Sequence, residues 1–444
     1  MVEPVDPRHR RQLRRAMVAS TVGTSLEWYD FFLYGTVAAL VFPELFFPNS
    51  SNYVGVLEAF ATFAIGFAAR PIGAAIFGHY GDRIGRRNTL IVTLLLMGAA
   101  SVAIGLLPTA ASIGAWAGIL LVTFRIIQGI GVGGEWGGSV LLAMEWSRSK
   151  RRGFVGSLPQ LGVPIGLLLS TGVVALTMHL TGDAFDTWGW RIPFLISFLL
   201  VLIGLVIRLK VDESPEFLAI VAAGKVERKP VSEVVRRHPR EIALTALMRL
   251  AEQTPFYLFT AFVLVYGTEQ LGMSRRVLLA GTLVAAALAL FTVPFFGWLS
   301  DIVGRKRLYV TGAALTFLIA VPYFWLLDMR VPAIAFAAVA FSLIPHDMMY
   351  GPQAALIAGA FAPEIRYSGS SLGYQLASVL AGGPAPLIAA WLLHTFHSGY
   401  AIAGYIMVSA AITIVATLML REVPPVADAV ITPLPKRAAE AAAA

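Results

Sequence analysis

The sequence predicts an all-α integral membrane protein with twelve transmembrane helices in two pseudo-symmetric six-helix bundles. Of the 444 residues, 57% are hydrophobic and 14% are charged, whereas soluble domains contain about 25% charged residues. Stretches of about 20 apolar residues, the length that crosses a bilayer, recur twelve times, and one polar motif occurs once in each half. A soluble enzyme and a disordered chain are therefore excluded, because neither could accommodate this apolar content.

The apolar stretches follow one another with short connections, except for one polar stretch near the middle of the chain. We predict spans near 17–42, 54–78, 89–107, 115–145, 154–178, 190–208, 243–267, 278–298, 307–326, 333–359, 369–393 and 400–420. The domains are then a basic N-terminus 1–16, a first bundle 17–208, a linker 209–242, a second bundle 243–420 and a tail 421–444. The linker is expected to contain one or two short amphipathic helices.

Basic residues indicate the orientation in the membrane. Lys and Arg concentrate in segments that all fall on one side of the predicted topology, namely 8–15, 83–87, 148–152, 208–240, 305–307 and 421–437. Cytoplasmic loops carry such an excess, so both termini are predicted to be cytoplasmic. The net charge of +8 therefore reports topology, and a nucleic-acid partner is not expected. The lipid bilayer is the expected surrounding.

A repeated motif identifies a superfamily. Residues 78–87 read GHYGDRIGRR and residues 297–306 read GWLSDIVGRK, each between the second and third spans of its half. Such a repeat is typical of transporters built from two related six-helix units. The first copy resembles the G-x-x-x-D-R-x-G-R-R motif of the major facilitator superfamily through the residues Gly78, Asp82, Arg83, Gly85, Arg86 and Arg87.

Further strings resemble the metabolite:proton symporter family of bacterial inner membranes. They are EWYDFFLYG at 27–35, GVGGEWGG at 131–138, WGWRIPF at 188–194, DESPEF at 212–217 and RYSGSSLGYQ at 366–375. The resemblance implies proton-coupled symport of a small organic solute by alternating access, most often a carboxylate metabolite, by a chain that works as a monomer. It also implies a multi-pass protein of the inner membrane.

Ionisable residues inside the spans are the candidates for proton coupling, because such groups are costly in a bilayer and are usually functional. The candidates are Glu27, Asp30, Arg125 and Glu135. Glu27, Asp30 and Tyr34 share one face of the first span. The alternatives are structural: an ion pair of the first span with a neighbouring helix, and a pair of Glu135 with Arg191.

Substrate contacts are predicted from polar and aromatic residues in spans 1, 2, 4, 7, 10 and 11. Arginine in this set suits an anionic substrate, because a guanidinium binds a carboxylate through two hydrogen bonds. The alternatives are structural pairs of Arg70 with Glu58 or Glu27 and of Arg249 with Glu252. His346 is either a second titrating group or a structural residue. The full set is Tyr34, Arg70, Arg125, Gln128, Arg249, Gln253, Tyr257, Asp347, Tyr350, Gln353 and Gln375.

The repeated motif is predicted to act as a cytoplasmic gate. Asp82 is expected to cap a helix of the opposite half near 368–371, and Asp301 in the second copy to act more weakly because no arginine follows it. The alternative is a charge cluster that only sets topology. The predicted gate residues are Gly78, Asp82, Arg83, Gly85, Arg86, Arg87, Asp301, Gly304, Arg305 and Lys306.

The sequence also argues against other chemistry. Cys is absent, H-E-x-x-H is absent, and neither a cofactor nor a metal is expected. Gly129, Gly131 and Gly134 fit the G-x-G-x-x-G pattern, but they lie inside a span, where small residues allow close helix packing. The rival functions are an osmolyte symporter of the same family, disfavoured by a short tail without heptads, and a non-transporting receptor or membrane enzyme.

Overall fold

The structure is a computed structural model that describes residues 7–48, 52–147 and 149–421. Within these ranges the chain is helical, with no β-strand. Residues 7–146 and 162–231 form a first compact unit, and residues 147–161 and 232–421 form a second. The segment 147–161 thus packs with the second unit, although it lies in the first half of the sequence. Residues 1–6 of the predicted N-terminus and 422–444 of the predicted tail lie outside the described residues.

Twenty-one α-helices make up the described chain. Those as far as the linker are α1 Pro7–Leu40, α2 Phe42–Phe46, α3 Asn52–Ile84, α4 Arg86–Leu106, α5 Ala110–Ile113, α6 Trp116–Glu145, α7 Arg152–Gln160, α8 Gly162–Thr181, α9 Arg191–Leu209, α10 Pro215–Ala222 and α11 Pro230–Arg237. The remainder are α12 Pro239–Leu247, α13 Leu250–Tyr257, α14 Val263–Val265, α15 Arg275–Val303, α16 Arg305–Asp328, α17 Pro332–Phe341, α18 Ile344–Gly359, α19 Arg366–Ala377, α20 Pro384–Phe396 and α21 Gly399–Met419.

Short 3₁₀ and π segments connect some of these helices. The 3₁₀ turns are Ser149–Arg151, Gly182–Phe185 and Pro363–Ile365. The π segments are Leu258–Phe262, Tyr266–Gln270 and Ser378–Gly382. The π segment Leu258–Phe262 lies in the seventh predicted span, and Tyr266–Gln270 begins at the end of this span. Such widened turns are often found near functional sites.

Nine helical stretches in the described chain are long and apolar enough to cross a membrane. They coincide with predicted spans 3 to 6 and 8 to 12. Predicted spans 1 and 2 correspond to the long helices α1 and α3, and the seventh predicted span is divided among α12, α13, α14 and the π segments around α14. Only 33% of the α9 span is buried within the protein, so most of its apolar surface is left to face lipid.

Backbone contact without intervening side chains joins α3 to α6. A Cβ atom added to Gly133 would lie 2.1 Å from the Arg70 carbonyl oxygen, and one added to Gly129 would lie 2.4 Å from the Gly66 carbonyl oxygen. Glycine is therefore needed at both positions, because any side chain would separate the two helices. The glycine pattern 129–134 is helix packing, as the sequence predicts, and it brings Arg70 next to α6.

The linker contains two short helices, α10 and α11, in agreement with the sequence. Ser214 caps α10 by accepting a hydrogen bond from the Phe217 backbone N–H, with Pro215 as the first helical residue. Gln12 of α1 donates to Asp212 over 2.7 Å. These contacts tie the start of the linker to the first unit.

Replacing Gly133 with Ala should lower the free energy of unfolding by about 1–3 kcal/mol, because a methyl group placed against the Arg70 carbonyl overpacks the interface. Gly172→Ala is the matched control, since no atom lies within 4 Å of its added Cβ; it should leave stability unchanged or raise it slightly. Thermal unfolding of both purified variants checks this. Equal unfolding temperatures for the two variants would show that the α3–α6 contact does not limit the stability of the protein.

Candidate functional site

The two acids of α1 are buried, and one of them is held by hydroxyl groups. Glu27 and Asp30 are 3% and 2% exposed. Asp30 accepts a hydrogen bond of 2.6 Å from the Ser197 hydroxyl on α9 and a second from Ser101 on α4. Within the described ranges, Asp30 is therefore held by hydroxyl donors and not by an ion pair.

A chain of polar side chains connects Asp30 to Arg125. The side-chain amide of Gln128 donates to the Ser101 hydroxyl over 2.7 Å, and Arg125 donates to the side-chain oxygen of Gln128. The Arg125 guanidinium also lies over the Tyr34 ring, 4.1 Å from its centroid. A change of charge at Asp30 can thus be transmitted to Arg125 through two intermediate side chains.

A small pocket in the first unit collects the predicted residues. Its lining consists of Glu27, Phe31, Gly66, Arg70, Arg125, Gln128, Gly129 and Val132. One carboxylate oxygen of Glu27, Oε2, has no hydrogen-bond partner within the part of the chain described. The pocket therefore combines two cations with one carboxylate that is not fully used by the protein.

Arg70 lies among aromatic rings. Its guanidinium carbon is 4.4 Å from the ring centroid of Phe67, 4.9 Å from that of Phe31 and 5.9 Å from that of Trp28. Among the described residues no carboxylate lies within salt-bridge distance of it, so the alternative pairs with Glu58 and Glu27 are not formed. Cation–π contacts partly replace the hydration of the buried cation, and its hydrogen-bonding edge meets no acid among the residues that the structure describes.

Glu135 has a different partner from the one considered for it. It pairs with Arg208 of α9 and accepts hydrogen bonds from Thr93 (3.0 Å) and Ser139 (2.9 Å). The alternative pair with Arg191 is wrong, because Arg191 donates to the carbonyl oxygens of Gly105 and Leu107.

Arg208 belongs to the basic segment 208–240, which is predicted to be cytoplasmic, yet it is 2% exposed. Its position in the last turn of α9 sends the side chain back along the helix. The counter-charge of Glu135 is therefore supplied from within the unit.

In the second unit, Arg249 and Glu252 neutralise each other, as one of the two interpretations anticipated. Their side chains are 3.2 Å apart and buried. Arg249 also donates to the Tyr374 carbonyl oxygen and stacks on the Tyr374 ring. Its charge is thus already balanced by the protein, in contrast to that of Arg70.

Amides and rings surround this pair. Gln353 donates to Glu252 over 3.0 Å and approaches the Tyr309 hydroxyl at 3.1 Å, while Gln253 donates to Ser378 over 3.3 Å. Asp347 accepts a hydrogen bond from Thr292 and contacts His346. All the predicted residues of this unit are buried, namely Arg249, Gln253, Tyr257, Asp347, Tyr350, Gln353 and Gln375.

The first copy of the repeated motif forms a buried charge cluster. Arg86 lies 3.5 Å from Asp82 and 3.2 Å from Glu145, and it donates to the Gly81 carbonyl oxygen over 2.9 Å. Arg87 donates to the Leu209 carbonyl oxygen over 2.9 Å. Within this unit Asp82 therefore meets Arg86. The predicted cap of Asp82 on the opposite half stays a prediction.

A linker residue that the sequence did not identify, Glu213, caps α4. Its carboxylate accepts hydrogen bonds from the backbone N–H groups of Arg86 and Arg87, both at 3.1 Å. Gly85 precedes α4 with φ +104°, and a Cβ there would lie 2.1 Å from Glu213 Oε2. Burial raises the pKa of the Glu213 carboxyl, while the Ser214 backbone N–H and the Arg86 charge oppose this rise. The ionised form of Glu213 is thus stabilised by Arg86, a residue of the motif.

The second copy of the motif caps α7. Asp301 accepts hydrogen bonds of 2.9 Å from the backbone N–H groups of Gly153 and Phe154, and Arg305 lies 2.9 Å from it. Gly304 starts α16 with φ +98°, and Lys306 donates to the carbonyl oxygens of Leu418 and Leu420. A carboxylate at the first amides of a helix is stabilising. Asp301, for which the sequence predicts a weaker role than for Asp82, thus caps a helix within the second unit.

Several functional partners were not identified in the sequence, because they are single hydroxyl, phenol or charged residues without a motif. They are Thr93, Ser101, Glu145, Ser197, Arg208, Glu213, Thr292, Tyr309 and Tyr374. Arg208 is the last residue of the sixth predicted span and Glu213 follows this span closely. A charged residue at the end of a span was the signal that could have identified them. Among the residues described, no three His, Asp or Glu side chains are arranged to hold a metal ion.

Comparison with known proteins identifies the family. The model for sugar (and other) transporters matches residues 16–239. The shikimate transporter of Escherichia coli K12 is 44% identical over 416 residues, covering 92% of this chain and 94% of that protein. The inner membrane metabolite transport protein YhjE of the same organism is 40% identical, with the same coverage. The proline/betaine transporter of this organism is 33% identical, covering 93% of this chain and 84% of that protein.

Among solved structures, the major facilitator superfamily proton:xylose symporter XylE bound to 6-bromo-6-deoxy-D-glucose superposes with a TM-score of 0.71 at 21% identity. The match covers 92% of this chain and 95% of XylE. This likeness confirms the predicted all-α membrane fold, and the relatives confirm the family and exclude an enzyme. The chain has the fold of the major facilitator superfamily and belongs to the family of sugar (and other) transporters.

Proposed function

We propose that this chain is a proton-coupled symporter of a small organic acid anion. The observation that carries the proposal is the pocket of the first unit, in which Arg70 and Arg125 stand against the single carboxylate of Glu27. Asp30 is linked to Arg125 through Ser101 and Gln128. Once Asp30 carries a proton, the two buried guanidinium groups and Glu27 leave a positive charge that a bound carboxylate would balance.

Arg70 is the proposed anchor of the substrate carboxylate. Its planar face is covered by aromatic rings, and its hydrogen-bonding edge meets no acid of the described chain. A guanidinium supported in this way presents its donors in the fork geometry that fits a carboxylate. The 44% identical relative named a shikimate transporter supports an acid as substrate.

Asp30 and Glu27 are the proposed proton carriers. In the described chain Asp30 accepts hydrogen bonds from hydroxyl groups and forms no salt bridge, so it can take up a proton without breaking an ion pair. The chain through Ser101 and Gln128 then links its charge to Arg125. Glu135 is paired with Arg208, and we assign it the positioning of Arg208 and not the transported proton.

The polar groups of the second unit are proposed to complete substrate recognition. Their amides, phenols and one acid suit hydroxyl groups of a solute better than a carboxylate, because Arg249 is already neutralised by Glu252. The proposed contacts are Gln253, Tyr257, Asp347, Tyr350, Gln353 and Gln375, with Arg249 as their electrostatic support.

The two motif copies are proposed as the cytoplasmic gate. The contacts of Arg86 with Asp82 and Glu145, and of Asp301 with α7, are the kind that must rearrange when the cytoplasmic side opens. That Asp82 also caps the opposite half in one state remains part of this proposal. We further propose a monomer in the bacterial inner membrane with both termini cytoplasmic, supported by the Lys and Arg distribution and by the name of the relative YhjE.

An osmolyte such as a betaine is the second candidate, since a proline/betaine transporter is 33% identical. Its carboxylate would suit Arg70, but its positive ammonium group would meet two guanidinium groups in the same pocket. Uptake of labelled shikimate, di- and tricarboxylates and betaine into proteoliposomes separates the two candidates. Uptake of betaine alone would contradict the proposed function.

Asp30→Asn should abolish accumulation of the transported acid under an imposed pH gradient, because an amide cannot carry the proton. Exchange of external for internal substrate should persist. Glu27→Gln should behave in the same way if it is the carrier. Accumulation and exchange in proteoliposomes are measured beside the exposed control Asp186→Asn. Wild-type accumulation by both span variants would place the proton site elsewhere.

Arg70→Lys should weaken binding of the acid by about tenfold or more, because an ammonium cannot reproduce the two-pronged contact. Arg276→Lys, which changes an exposed arginine, is the control and should bind as wild type. Calorimetric titration of the purified proteins with the acid measures the difference. An unchanged affinity in Arg70→Lys would remove this residue from the substrate site.

Asp301→Asn should loosen the first turn of α7, since the amide keeps one acceptor oxygen but loses the charge at the helix N-terminus. Such contacts contribute roughly 0.3–2 kcal/mol, so amide hydrogen exchange over 152–156 should accelerate by about twofold to thirtyfold. Exposed Asp183→Asn is the control. Exchange at the wild-type rate in Asp301→Asn would contradict the cap.

A further inference from the structure

His346 is enclosed between two acids in the second unit. Its Nδ1 atom lies 2.9 Å from Asp347 and its Nε2 atom 3.5 Å from Glu252. The ring lies between the rings of Phe256 and Tyr350, with centroid distances of 5.2 and 5.0 Å. The residue is 5% exposed, so the ring is held in place on both faces and at both nitrogens.

This geometry indicates the protonation state. Both ring nitrogens face carboxylate oxygens, which can only accept hydrogen bonds when ionised. A neutral imidazole would turn a lone pair toward one of the two acids. Only the doubly protonated ring donates to Glu252 and Asp347 together.

Counting charges leads to the same state. Arg249 contributes one positive charge, and Glu252 and Asp347 contribute two negative charges. An imidazolium at His346 makes the buried cluster neutral, whereas a neutral ring would leave a net negative charge away from water, which is unfavourable.

The neighbouring helices supply no further formal charge to this cluster. Among the described residues, α16 contributes the phenol of Tyr309, α19 contributes that of Tyr374, α15 contributes Thr292 and α7 contributes Gln160. Asp301 of α15 is used at the N-terminus of α7. The proton on His346 is thus the element that decides the net charge.

A metal site is a poor explanation of the same residues. The two carboxylates address opposite nitrogens of one ring, so their oxygens do not converge on a common point. Within the described chain no three His, Asp or Glu side chains have metal-binding geometry.

We propose that His346, held between Asp347 and Glu252, is a second proton-binding site of this transporter, occupied in this conformation and emptied during the transport cycle. The proposal rests on the proton coupling put forward above. Glu252 lies 3.2 Å from Arg249 on its other side, so it keeps a cation when the proton leaves. The Nε2 proton passes to water, and the ring remains as neutral imidazole bonded to Asp347.

Counting the protons moved with each substrate molecule tests the proposal. We would measure the proton-to-substrate ratio of transport in proteoliposomes from the substrate gradient that balances an imposed proton gradient, between about pH 5 and 9. His346→Asn should lower that number by about one. His394→Asn, which changes an exposed histidine near the end of α20, should match wild type. Equal proton numbers for His346→Asn and wild type would overturn the proposal.

A second measurement covers the case in which His346→Asn does not fold. A variant that keeps His346 as its sole histidine, labelled with ¹⁵N, reports the protonation of both ring nitrogens by magnetic resonance. Doubly protonated nitrogens in one state, and one deprotonated nitrogen when substrate or pH changes the state, support the site. A ring that stays doubly protonated in every state would make His346 structural and overturn it.

The outcomes separate this inference from the proposed function. If the wild-type protein moves no acid together with protons, the proposed function fails and the inference fails with it. If wild type takes up protons that Asp30→Asn removes in full, while His346→Asn takes up the wild-type number, the proposed function stands and only the second site is lost.

Discussion

Buried charge must be balanced, and this requirement organises both units. Inside the helices an isolated ion is unfavourable by several kcal/mol, and three buried arginines are each met by an acid: Arg208 by Glu135, Arg249 by Glu252, and Arg86 by Glu145. These pairs connect helices that are distant in sequence. They also make the exceptions informative, because Glu27 and Arg70 lie in one pocket without an ion-pair partner from the described chain.

Much of the fold was predictable, because span length and basic clusters depend on the bilayer and not on partners. The seventh span is the exception, since its pattern is apolar enough for one helix yet it is divided by π segments. Close contacts decide such breaks, and periodicity does not report them. At the site, the sequence singled out Asp30, Arg70 and Arg125 because charges in spans are rare.

The partner of each buried acid was harder to predict from the sequence. The choice of Arg208 over Arg191 for Glu135 depends on the rotation of α6 and on the side chain of Arg208 folding back along α9. Likewise, the two motif copies have similar sequences, but Asp82 contacts an arginine, whereas Asp301 accepts hydrogen bonds from two backbone N–H groups. Residue spacing predicted that these acids matter. Which donor each one meets follows only from helix packing.

The pocket that holds Glu27 and Arg70 has a consequence for energy use by the cell. Closing an empty carrier around unbalanced charges would be unfavourable, because water that solvates them would have to leave. When the anion and the proton are both bound, these charges are balanced and closure becomes easier. On the proposed function, the arrangement therefore suppresses slippage, in which protons leak inward without cargo and the gradient is dissipated. Tight coupling would then originate in electrostatics of the resting pocket and not in a separate checkpoint.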